Sequence, residues 1–142
     1  MSRSRLSMTA LVAALLVVLT ACGGSDALTA KQWRVEADKV CKSGQGKVAT
    51  IGKDLPAKPT TADVTEVVSG LADVLQDEAD QIAELKAPSI LEDDVTAMIS
   101  SLRDGIRQFR AAGASALDAK TSPFQDATIK AQDLGLKVCG NF

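Results

Sequence analysis

The sequence predicts an all-α protein: a single antiparallel bundle of about four helices, stapled by one disulfide. Three observations carry this expectation. Apolar side chains recur at steps of three and four through four segments, each bounded by Pro, Gly or a capping residue. No run alternates apolar and polar residues, no Asn-Gly or Asp-Gly turn joins two such runs, and no repeat period is present. Two cysteines, Cys41 and Cys139, lie near the two ends of the periodic region.

The first helix starts at Thr29. Thr29-Ala30-Lys31-Gln32 has the form of a capping box, in which the hydroxyl accepts from the third helical N–H and the Gln side chain reaches back. Trp33, Ala37, Val40, Cys41, Val48 and Ile51 follow near helical spacing. Gly44, Gly46 and Gly52 each cost about 1 kcal/mol relative to Ala, which leaves the segment open to a kink or break around Ser43–Gly46. Lys53 to Pro59 reads as loop.

The second helix is expected from about Thr61 to Leu85. Val64, Val67, Val68, Leu71, Leu75, Ile82 and Leu85 form its apolar stripe, and Asp73, Asp77, Asp80 and Glu84 its polar face. Lys86-Ala87-Pro88 ends it. Ser89-Ile90-Leu91-Glu92 predicts a second capping box for the third helix, with Glu92, Asp93 and Asp94 in the first turns and Arg103, Arg107 and Arg110 late, as the helix dipole favours. Leu91, Val95, Met98, Ile99, Leu102, Ile106 and Phe109 make its stripe. Gly113 to Thr121 is a softer, Ala-rich stretch. The fourth helix is expected at Ser122-Pro123-Phe124-Gln125, with Ser as N-cap and Pro first, and Phe124, Ala127, Ala131 and Leu134 facing inward. Gly135 suits a left-handed C′ position and Leu136 the contact after it. The tail to Cys139 reads as extended, laid against the first helix.

The N-terminal region has a different character. Fourteen of the first 21 residues are apolar, with Arg3 and Arg5 ahead of an unbroken apolar run from Ala10 to Leu19. Ten helical residues span about 15 Å, half of a bilayer core, so the run suits a signal-peptide h-region rather than an anchor. Leu19-Thr20-Ala21-Cys22 closes it, followed by Gly23-Gly24-Ser25. This resembles the lipobox of bacterial lipoproteins. The resemblance implies removal of residues 1–21 and a diacylglycerol on the Cys22 sulfur. Palmitate-type chains would hold the protein, each buried methylene adding about 0.8 kcal/mol. Residues 22–28 would then be a lipidated tether, and 29–142 the helical domain. Loss of Arg3 and Arg5 leaves 14 basic against 18 acidic side chains, a net charge of −4, which argues against nucleic acid as a partner.

Export also places Cys41 and Cys139 where paired thiols oxidise. A bridge between them closes a loop of about 100 residues, for which chain entropy supplies about 4.7 kcal/mol. No CxxC motif and no His support a redox or metal role instead.

Three stretches together resemble small helical extracytoplasmic lipoproteins of high-GC Gram-positive, actinobacterial type. These are the lipobox at Cys22, Trp33-Arg34-Val35-Glu36-Ala37-Asp38-Lys39-Val40-Cys41, and Leu134-Gly135-Leu136-Lys137-Val138-Cys139-Gly140. In such proteins an early helical A-D-x-x-C is answered by a closing G-L-x-V-C-G. The glycines at 44 and 46 depart from the group's Ala-rich continuation. The resemblance implies a membrane-tethered domain on the outer face and carries no activity or functional residue with it.

Recognisable catalytic chemistry is scarce. With no His and no Tyr, Ser-His-Asp and Cys-His arrangements are excluded. Ser43 and Lys47 share a helix face, but a solvated face explains them better than a Ser-Lys dyad. Asp73, Asp77 and Asp80 could pair as acids or bind Ca²⁺, yet no D-x-D-x-D-G loop exists, and a solvated face again reads better. Trp33 stays on the apolar stripe and is expected in the core rather than in the membrane interface. Gly44-x-Gly46 continues into no phosphate-binding pattern. No cofactor or metal is expected. The expected function is a non-catalytic, lipid-anchored interaction module on the outer face of the cytoplasmic membrane, partnered by an envelope protein. The alternative is a carrier of a small apolar ligand between helices, for which Ala37, Ala79, Ala127 and Ala131 could leave room.

Overall fold

A computed structural model describes residues 27–140. The lipobox residues Leu19, Thr20, Ala21 and Cys22 lie outside the described residues. Within them the chain is all-helical: α1 (Ala30–Val48), α2 (Thr61–Glu84), α3 (Glu92–Ala112) and α4 (Gln125–Asp133), with a 3-10 segment, Gly113–Asp118, between the last two.

Local chemistry explains the ends of these helices. Thr29 and Gln32 form the expected capping box. Thr60 and Asp63 form another, with Asp in place of Glu or Gln. The Thr60 backbone N–H, then its hydroxyl, hold the Asp63 carboxyl below its ordinary range. The expected capping box at Ser89 is not formed: Leu91 occupies the cap position with no side-chain bond. Residues 88–92 instead wind into a turn, the Leu91 N–H donating to the Pro88 carbonyl at 2.8 Å. The acids Glu92, Asp93 and Asp94 still meet the helix N-terminus.

Helix α4 starts at Gln125, later than its N-cap signal at Ser122 suggests. The Ser122 Oγ accepts from the Phe124 N–H at 3.2 Å, closing a turn ahead of the helix. Packing explains the delay. Gly105 of α3 sits so close that a Cβ there would lie 2.6 Å from the Pro123 carbonyl oxygen and 2.7 Å from Phe124 Cδ1. The exit of α4 is the expected one. Gly135 takes φ +80°, its N–H donates to Gln132 O, and the Leu136 N–H donates to Ala131 O.

The tail is not extended, contrary to expectation. It curls around one side chain of α1: the Asp38 carboxylate accepts from the backbone N–H groups of Lys137 (3.1 Å), Val138 (2.8 Å) and Cys139 (3.3 Å). Arg34 Nε donates to the Leu134 carbonyl at 2.5 Å. Cys41 and Cys139 are joined, S–S 2.06 Å. About two turns of α1, Arg34 to Cys41, thus hold the segment after α4 by three separate means.

Nor does α1 break at its glycines; it runs unbroken to Val48. Side chains fill two clusters. Trp33, Ala37, Cys41, Ile82, Val95, Met98 and Leu136 form one at the disulfide end. Val68, Ala72, Ala79, Leu102, Ile106, Phe109, Phe124 and Ala127 form the other, among α2, α3 and α4. Trp33 is fully buried, as its spacing predicts, and its Nε1 donates to no acceptor among the described residues. Helix α1 backs closely onto α2, but no Cα of α1 comes within 8 Å of one in α3 or α4. Among the described residues no helix is long and apolar enough to cross a membrane.

Candidate functional site

Several apolar positions that periodicity assigns to the core are not sealed. Leu71 and Leu75 of α2 are half-buried, and Val48 of α1 is 36% exposed. They converge on one cleft of about 350 Å³, open to solvent on one side. Gln45, Val48 and Ala49 line it from the end of α1, and Phe109 and Phe124 from the second cluster. Val138 and the disulfide at Cys41 close the remaining wall. The cleft exists because α1 leans on α2 while standing off from α3 and α4. Side chains of Trp33 and its neighbours fill that space at one end and leave it unfilled at the other.

Glu78 also lines the cleft. At 5% exposure it is the one buried charged side chain among the described residues. Its carboxyl lies against bare helix backbone: a Cβ at Gly44 would be 1.4 Å from Glu78 Oε1 and 2.3 Å from Cδ. This is the physical reason for glycine within α1, and it accounts for the continuity of the helix there. Tertiary packing across the Gly44 notch offsets the poor propensity. Burial raises the Glu78 pKa from 4.5 to about 7, with attraction from Lys47 working in the opposite direction. The Lys47 ammonium itself bonds Asp77, at 2.9 Å.

The acidic face of α2 is tied to its neighbours. Asp73 meets Arg110 and Asp80 meets Arg103, each at 2.7 Å, while Asp77 turns to α1. The Gln76 amide, then Arg103, hold the Asp80 carboxyl below its ordinary range. These pairs are exposed and solvent-screened, so each adds little to stability. Asp73, Asp77 and Asp80 therefore turn to separate cations, and no group of three metal-ligating side chains gathers among the described residues. Ser43 is exposed, and its helix-face neighbour Lys47 is committed to Asp77.

Sequence reasoning passed over Glu78, although a signal was there: its position falls between Leu75 and Ile82 on the apolar side of α2, one step from Ala79. Cys41 and Cys139 come together as expected. Cys22 cannot be placed relative to the cleft, being outside the described residues. Comparison with known proteins finds no matching family profile, no matching curated protein and no matching solved structure.

Proposed function

We propose that this protein is a lipid-anchored, extracytoplasmic, non-catalytic binding module that holds a small apolar ligand between its helices. The observation that carries the binding half of this reading is the cleft of about 350 Å³ beside Leu71, Leu75 and Phe109, a volume within the range of about 300–1,000 Å³ usual for small-molecule sites. The anchoring half rests on the run Leu19-Thr20-Ala21-Cys22 and accords with a disulfide, which persists in oxidising compartments. A small ligand is favoured over an envelope protein. The large apolar side chains exposed elsewhere, Val35, Leu55, Ile90, Leu117 and Ile129, are scattered over α1, α4, the 3-10 segment and two loops, whereas the cleft gathers its apolar surface in one concavity.

N-phenyl-1-naphthylamine, a neutral dye that brightens in apolar surroundings, tests the reading. Saturable binding of one dye per chain is expected, lost in Ala49→Trp, where the indole fills the cleft mouth. Dye binding that is absent, or indifferent to Ala49→Trp, refutes it.

A further inference from the structure

We propose that the cleft selects cationic amphiphiles, seating a protonated amine against Glu78 and an aliphatic or aromatic body against Leu71, Leu75 and Phe109. The proposal rests on the apolar-ligand reading above and adds the charge of the ligand to it.

The argument starts from cost. A carboxyl buried without a counter-ion is expensive, and an apolar side chain in its place would pack at no such penalty. Here the chain goes further and clears room for the carboxyl, with glycine at the one point of α1 where any Cβ would collide with Oε1. Among the described residues no donor bonds it, and its oxygens reach the open cleft, since Trp33 Nε1 is the one sealed side-chain polar atom left without a partner there. The cation nearest in effect, Lys47, is already bonded to Asp77 on the exposed face. No basic side chain lines the cleft, whose walls apart from Glu78 are Leu, Val, Ala, Phe, a disulfide and one neutral amide, Gln45. What is missing from this site is one positive charge attached to something apolar.

The rest of the molecule points the same way. The mature chain's net charge of −4 favours approach of cations and opposes fatty-acid-like anions. Against the apolar walls of the cleft, a charge-assisted hydrogen bond between ammonium and carboxylate is about twice as strong as a neutral one. Seating a cation also drives Glu78 to its ionised form, so binding near pH 6.5 releases protons.

The test compares three eight-carbon probes of equal length: octylammonium, 1-octanol and octanoate. The full chain is held in phosphatidylcholine nanodiscs, with empty nanodiscs as the blank, and titrated calorimetrically at neutral pH. Octylammonium is expected to bind one per chain and at least ten-fold more tightly than octanol, with octanoate silent. Its heat near pH 6.5 should change with buffer ionisation enthalpy, reporting the proton released. Glu78→Gln, which removes a buried charge and keeps the shape, should bring octylammonium down to octanol's affinity and abolish the buffer dependence. Ala49→Trp should abolish both. Equal affinities for octylammonium and octanol overturn the proposal, as does an octylammonium affinity unchanged in Glu78→Gln. Either result leaves an apolar cleft that does not read charge. Failure of all three probes overturns the apolar-ligand reading together with the proposal.

Discussion

Asp38 and Glu78 show how differently a carboxyl can be placed. Asp38 accepts three consecutive tail N–H groups, those of Lys137, Val138 and Cys139. Asp38→Ala leaves the tail donors without that acceptor and is expected to lower stability by about 1–3 kcal/mol, read from urea denaturation. Glu78 is buried among apolar side chains instead. Its folded pKa, about 7, lies above the unfolded value of 4.5, so the folded state binds the extra proton. Stability is therefore expected to be highest below about pH 4.5 as far as this group is concerned, and to fall as pH rises toward and through 7. Glu78→Gln should flatten that slope in melting curves taken across the window; an unaltered slope would assign the dependence elsewhere. At this scale the sequence was partly readable. Trp33 announced its burial by its spacing, and the pair Cys41 and Cys139 by their compartment and number. Asp38 was visible inside an A-D-x-x-C pattern, but not its task, because the tail lies about a hundred residues away and no local rule links them. Glu78 was hidden by its polarity: periodicity counts apolar residues, and a carboxyl on the apolar side drops out of the count.

The helices themselves were largely legible. Thr29 and Gly135 mark ends by chemistry confined to four or five residues, and such signals survive folding intact, while the Thr60–Asp63 box is a further local cap that the apolar stripe alone does not locate. Signals at Ser89 and Ser122 were overridden. Pro88 turns the chain before Ser89 can cap, and the seat of Phe124 on Gly105 sets where α4 begins. Helix propensity also misjudged α1, whose glycine at 44 is required by a neighbouring helix rather than by a bend. Gly105→Ala tests the closeness of α3 and the α4 start. The added methyl meets backbone oxygen and an aromatic ring at under 3 Å, neither of which yields easily. A loss of about 1–3 kcal/mol is expected from chemical denaturation. Gly46→Ala, with open space around it, should by contrast stabilise α1, by up to about 1 kcal/mol on propensity.

At the scale of the whole molecule, the all-helical fold and its staple were readable in advance, and the cleft was not. A pocket between helices depends on how far α1 stands from α3 and α4, a distance no single stripe encodes. Two further expectations belong here. Cys22→Ala should leave an unprocessed precursor, and mass spectrometry of the membrane fraction should find diacylglycerol on Cys22 in the parent chain; a bare Cys22 peptide there would end the anchoring proposal. Reduction of Cys41–Cys139, 98 residues apart, should cost about 2–5 kcal/mol in urea midpoints measured with and without reductant. That bridge has another effect, on what happens after damage. From residue 41 to 139 the polypeptide is a covalent ring that contains every turn between the helices. Lys53 and Lys120 lie exposed in those turns. A protease that cuts once after either of them opens the ring but frees no fragment. The nicked chain keeps all its parts on one tether and comes apart only when a reductant arrives.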